Sequence, residues 1–167
     1  MLLANTKAYY YYTDAVRQKG YDLDGRDRQA VREVNYPIPD ISLLRARLLY
    51  DGGNYEKALS QLSGKDTEDF KLLRDKIEYN YRLGRIYDLS LRDDLALKYY
   101  QLALDLGKNE HYYFASNAAV RMTAVNEKKR DVQKAKYYYN TAINMEDHDY
   151  ENSIENKAKE GLKRLRD

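Results

Sequence analysis

Two histidines, one short acidic loop and a set of interleaved arginines and tyrosines are the residues with which this chain could do chemistry. His111 and His148 sit near expected loops, and neither has a second histidine at the spacing that sets two ligands on one helix face, so no metal or acid–base pair is expected. Asp22-Leu23-Asp24-Gly25, with Glu33 at the twelfth place from Asp22, carries the acids of a calcium loop. Its glycine falls at the fourth place instead of the sixth, and Arg26 takes a ligand position, so a polar turn is expected. The chain has no glycine-rich phosphate loop and no nucleophile elbow. Zero cysteines exclude disulfides and thiolate metal sites. The expectation is a non-enzyme with no catalytic, cofactor-binding or metal-binding residues. What remains is arginine beside tyrosine, a pairing whose planar guanidinium binds carboxylates by two parallel hydrogen bonds and stacks on rings.

Those side chains need helices to position them. Only two prolines, 34% charged residues of both signs and a 43% apolar fraction favour an all-α domain spanning 1–167. Leu83-Gly84 and Tyr87, then Ala96, Tyr100 and Ala103, place small and large apolar residues at steps of three and four on two helices joined by a tight turn. Gly84 leaves room for a partner, and Tyr100 fills the space between small residues. The set recurs. Ala58 and Leu62 repeat Ala96 and Tyr100 at a distance of 38, and Ala135, Tyr139 and Ala142 repeat them at 39. Helix pairs are expected at 40–63, 67–107 and 110–145, with 67–91 as one long helix. Gly52-Gly53 makes the first turn, while Asn54, Asp66 or Thr67, and Asp131 stand as caps.

At the amino end, 4–19 carries Ala8, Tyr12 and Ala15 in the same pattern, with Tyr12 as core, and ends at Gly20. It reads as the second helix of a pair whose first is missing, as if the chain were cut from something longer. An insertion at 20–39 holds a short helix near Arg26 to Val34 and ends at Pro37 and Pro39. At the other end, 149–166 shows a thin stripe of Tyr150, Ile154, Ala158 and Leu162 with charge elsewhere, the form of a helix that caps an array.

Leu-Gly-x-x-Tyr followed by Ala-x-x-x-Tyr-x-x-Ala resembles the tetratricopeptide repeat, with Sel-type repeats as a close variant. The resemblance covers about 110 residues well and the whole chain loosely. It implies a right-handed α–α superhelix, a solenoid of antiparallel helix pairs. It also implies that the first helix of each pair lines a concave groove that holds an extended peptide or a partner helix. The groove residues it designates are Arg47 and Tyr50 in the first pair, Tyr81, Arg82, Arg85 and Asp88 in the second, and Asn117, Arg121 and Glu127 in the third.

Such a groove would suit an acidic or aromatic peptide, in a non-catalytic interaction scaffold. In bacteria, repeats of this kind also form sensory or scaffold segments of larger signalling or envelope proteins. The alternative, a nucleic-acid-binding helical repeat, needs a basic stripe, which a net charge of +2 with interspersed acids does not provide. Met1-Leu2-Leu3-Ala4 is too short for a signal-peptide core, and no run approaches the ~20 apolar residues of a membrane span. A soluble chain is expected. Nineteen tyrosines, against two phenylalanines and no tryptophan, are too many for one core. The uncovered Ala8, Tyr12, Ala15 face is expected to pair with another copy.

Overall fold

The computed structural model describes residues 6–19, 31 and 34–165. The chain divides into two compact units, Met1–Ile41 and Ser42–Asp167. Among the described residues it is all-helical, with eight α-helices, one 3-10 turn and no strand.

In the first unit, α1 spans Thr6–Lys19. Arg17 pairs with Asp14 at 2.8 Å and donates to the Val34 carbonyl. Tyr12 is not core. It is 58% exposed beside Tyr10 and Tyr11, and the buried residue of the stretch is Thr13. Adjacent side chains step about 100° around a helix, so a run of tyrosines cannot share one buried face. The side chain of Ala8, the expected polar turn at 22–25 and most of the expected helix near 26–34 lie outside the described residues.

In the second unit the helices are α2 (Ile41–Asp51, which begins at the boundary), α3 (Tyr55–Leu62), α4 (Leu73–Leu89), α5 (Asp93–Gly107), α6 (Phe114–Lys128), α7 (Val132–Ile143) and α8 (Glu151–Arg164). From α3 onward each helix packs on the next, while α4 also touches α6 and α6 touches α8. First helices of successive pairs therefore stand side by side. Leu43 and Ala46 bring α2 into a cluster with Ala58, Leu62, Tyr79 and Leu83. A second cluster joins Ile77 and Tyr81 to Tyr100, Phe114 and Met122, and a third joins Ala115 and Ala119 to Tyr139, Ile154 and Ala158.

The recurrence read from the spacing reappears in the burial and in the turns. Ala58, Ala96 and Ala135 are each at 0% exposure. The three inter-helix turns share one hydrogen-bond pattern. The N–H groups of Asn54, Arg92 and Asp131 donate to the carbonyls of Leu49, Tyr87 and Asn126, at 2.8, 2.9 and 2.9 Å. The residue before each donor is left-handed: Gly53 at φ 77°, Leu91 at 56° and Arg130 at 57°. This is a helix stop that glycine suits best, and only the first turn has one. Leu91→Gly should therefore stabilise the chain by about 0.5–1 kcal/mol, because a left-handed side chain costs ~1–2 and glycine's extra freedom costs less. A higher urea midpoint is the expected reading, and a lower one would contradict it.

Close approach is bought with glycine at two tyrosines. A Cβ on Gly84 would stand 2.4 Å from Tyr100 Cδ1, and one on Gly161 would stand 2.2 Å from Tyr139 Cζ. The second contact seats α8, whose buried residues are Ile154, Ala158 and Gly161; Tyr150, expected in that stripe, is 40% exposed.

Residues 67–91 are not one helix. A 3-10 turn at Thr67–Asp69 precedes α4, and Phe70 between them is extended at φ −95°, ψ 131°. Asp66 accepts from the Glu68 N–H at 2.8 Å while Asp69 accepts from the Asp66 N–H at 2.9 Å, which closes the turn. Phe70 is then buried against Tyr79, with ring centroids 5.0 Å apart, so burial of one ring overrides helix continuity. Of the other caps, Asp131 accepts from the Lys134 N–H at 3.0 Å. Asn54 makes no such bond, and its amide donates instead to the Gly52 carbonyl.

Candidate functional site

The expected groove residues fall on α2, α4 and α6, and the fold brings some of them together and buries others. Arg85 and Tyr50 meet across α4 and α2. The guanidinium lies 3.9 Å from the Tyr50 ring centroid and 3.7 Å from Asp51, which Arg47 also approaches at 3.8 Å. Stacking and ion pairing thus use the same arginine. Burial raises the Tyr50 pKa, and the adjacent Arg85 charge works the other way.

Tyr81 and Arg82 are corrections to the expected groove. Tyr81 is 1% exposed and accepts a hydrogen bond from Asn117 Nδ2 at 3.0 Å. Arg82 is 3% exposed and gives two hydrogen bonds to Glu78, at 3.1 and 2.8 Å. Both residues lie on the stripe of α4 that carries Arg85. The start of α6 covers that end of it, because Phe114 and Tyr113 lie against Arg82. Spacing put the three residues on one stripe of α4 but gave no sign that a bulky aromatic pair would close part of it.

Asp88 and Glu127 do the same work, 39 residues apart. Asp88 binds Lys128 at 2.8 Å and receives the Tyr100 hydroxyl at 3.5 Å. Glu127 receives the Tyr139 hydroxyl at 2.9 Å, with Arg164 at 3.5 Å. Each acid ties its own helix to the tyrosine of the next and to a cation one pair further on. Their role here is to hold repeats in register.

Arg121, one turn beyond Asn117 on α6, differs from these. Its Nε is buried with no hydrogen-bond acceptor, and no carboxylate stands at ion-pair distance among the described residues. Burial works against its charge, but the oxygens of Tyr81, Tyr100 and Tyr50 and the Asp88 carboxylate outweigh that and hold it protonated. On α8, Lys157 is a residue the motif could not designate, because α8 carries no repeat signature. Burial and then the Arg121 charge lower the Lys157 pKa.

The tyrosines make the unit sensitive to alkali. Burial pushes Tyr79 up to about 12, with Tyr99 and Asp66 adding to it, and raises Tyr100 and Tyr113 as well. A tyrosine whose folded pKa exceeds the unfolded value near 10 contributes stability below pH ~10 that is lost as pH climbs through the folded pKa. The tyrosinate absorbance at 295 nm of these buried rings should therefore appear above pH ~10, together with loss of helix. An absorbance change that is complete with helicity unchanged would contradict this.

Among the described residues no group of three or more histidines and carboxylates is gathered as a metal ion would need. No helix of the described residues is long and apolar enough to cross a membrane. His148 is buried, with Nδ1 2.9 Å from the Asp149 carbonyl and 3.4 Å from the Ser116 hydroxyl, and it braces the loop before α8. Compared with known proteins, the chain matches no family model and no curated protein.

Proposed function

We propose that this chain is a tetratricopeptide-like repeat whose helix pairs wind as a right-handed solenoid, and that it is a non-catalytic scaffold binding a peptide or partner helix. The observation that carries the reading is the recurrence of one helix–turn–helix unit three times in phase, with the same left-handed turn residue and the same buried alanine each time. Units that contact only their neighbours leave a continuous face along their first helices, and such faces suit extended partners. On that face stand Tyr50, Arg85, Asn117 and Arg121, with Arg47 at one end. Tyr10, Tyr11 and Tyr12, all more than half exposed, support a second contact surface on α1.

The test is affinity capture from native lysate with the intact chain and with an Arg85→Glu, Arg121→Glu variant that keeps its circular dichroism. A protein held by the first and lost by the second, by at least about tenfold, supports the reading. Capture that is equal for both moves the site off this face, and nucleic acid released by salt would favour the other class of partner.

A further inference from the structure

The matched turns at Asn54, Arg92 and Asp131 put the three first helices on one numbering, with offsets of 38 and 39. By it, Ile41, Arg45 and Leu48 of α2 correspond to Tyr79, Leu83 and Ile86 of α4 and to Ala118, Met122 and Val125 of α6. On α4 and α6 all six are at 3% exposure or less. Tyr79, Leu83 and Ile86 lie in the cluster with Ala58 and Leu62 of the pair before, and Ala118 and Met122 lie with Ala96 and Tyr100. On α2 the same edge is open. Ile41 is 48% exposed, Leu48 is 53% exposed, and Arg45 is exposed between them. The interface that joins each pair to the next therefore runs on to α2, which presents one half of it uncovered.

In the later interfaces the covering half comes from a second helix, with alanine followed four places on by a large apolar residue: Ala58 and Leu62, then Ala96 and Tyr100. Helix α1 carries that pattern in Ala8 and Tyr12, and the Tyr12 ring is more than half exposed. Both halves of one interface thus stand open on the same chain. Their chemistry matches too. Arg45 replaces Leu83 and Met122 at the centre of the edge, and a guanidinium stacks on a tyrosine ring. The same pairing recurs in Arg85 on Tyr50 at 3.9 Å and Arg92 on Tyr87 at 5.0 Å.

We propose that α1 of one copy docks on the Ile41, Arg45, Leu48 edge of α2 in a second copy, with Tyr12 in the place that Leu62 and Tyr100 hold in the later interfaces. This rests on the repeat reading and gives the exposed α1 surface its partner; the first-helix face is not involved. Each copy has one α1 and one α2 edge, so reciprocal exchange uses both and closes as a twofold dimer. A one-way contact would leave a free edge at every step and grow into open chains.

Sedimentation velocity of the full chain over a dilution series reads the assembly, and a dimer that dissociates on dilution is expected. Leu48→Glu and Tyr12→Glu should each weaken it by at least about tenfold, because each buries an unpaired carboxylate in the contact. Helicity should not change, since both side chains are exposed in the single copy. Tyr137→Glu, at another exposed tyrosine, should leave the dimer as it was. The chain has no cysteine, so introduced thiols report alone. A Tyr12→Cys chain mixed with a Leu48→Cys chain should be joined by a short bismaleimide more readily than either chain with itself. A chain carrying both substitutions should be joined to a second chain.

A parent that stays monomeric, or a dimer that all three glutamate substitutions weaken alike, overturns the proposal. So does a crosslink confined within the doubly substituted chain, which would make its own α1 the occupant. A Tyr12→Cys chain that crosslinks best to itself would pair α1 with α1 and overturn it as well. If no dimer forms while the Arg85→Glu, Arg121→Glu variant still loses its captured partner, the contact between copies falls and the peptide-binding reading stands. A dimer lost in Leu48→Glu and kept in Tyr137→Glu supports the contact whatever that variant captures.

Discussion

Tyr100→Ala is expected to lower the stability of the repeat unit by about 3–5 kcal/mol, the usual cost of emptying a large buried aromatic site. Tyr100 is at 0% exposure, with the Tyr81 ring 6.2 Å away and the bare α-carbon of Gly84 beneath it. Little can collapse into the space, since the walls are helix backbone and rings already held by other contacts. The complementary change, Gly84→Ala, pushes a methyl group to within 2.4–2.9 Å of three ring atoms. Overpacking of that kind costs about 1–3 kcal/mol, and the better helix propensity of alanine returns up to ~1 of it. Tyr12→Ala occupies the equivalent place in the sequence pattern but removes a ring that is 58% exposed, so it should change stability by no more than about 0.5 kcal/mol. Urea unfolding followed by circular dichroism measures all three. A Tyr100→Ala chain as stable as the parent would refute the packing described here.

The second large effect belongs to Arg82. Arg82→Ala should cost about 3 kcal/mol, at the lower end for a broken buried pair. Arg74 remains 3.2 Å from the other oxygen of Glu78 and shields part of the orphaned charge. Replacing both members, Glu78→Met with Arg82→Leu, should recover most of the loss, because it removes the two desolvated charges together. The discriminating outcome is in capture experiments. The double variant should still bind whatever the parent binds, since neither residue reaches the surface. Loss of the partner with stability intact would return Arg82 to the binding face.

How much of this was legible in the sequence differs between fold and site. The helix pairs, their 38- and 39-residue recurrence and the Tyr100–Gly84 contact follow from the spacing of small and large apolar residues, because those spacings are the packing. The break before α4 was not legible. It depends on Asp66 and Asp69 bonding each other's ends of a turn, and on Phe70 finding Tyr79 across it. For the candidate site, position on a helix gave the stripe that the arginines share but not its cover. Arg82 and Arg85 lie three residues apart, yet Tyr113 and Phe114 close over one and leave the other beside Tyr50. Asp88 and Glu127 looked like ligand contacts and are register ties. Their partners, Lys128 and Arg164, come from a helix pair further on, which no local pattern encodes.

The most direct test of the first-helix face is photo-crosslinking with benzoylphenylalanine in place of Ala124, an exposed residue one turn beyond Arg121 on α6. The same probe at Tyr137, which is 63% exposed on the second helix α7, serves as the comparison. Irradiation in native lysate should yield a discrete adduct from the Ala124 position that disappears in the Arg85→Glu, Arg121→Glu background, and none from Tyr137. A discrete adduct at Tyr137 with none at Ala124 would contradict the assignment and place the binding surface on the second helices.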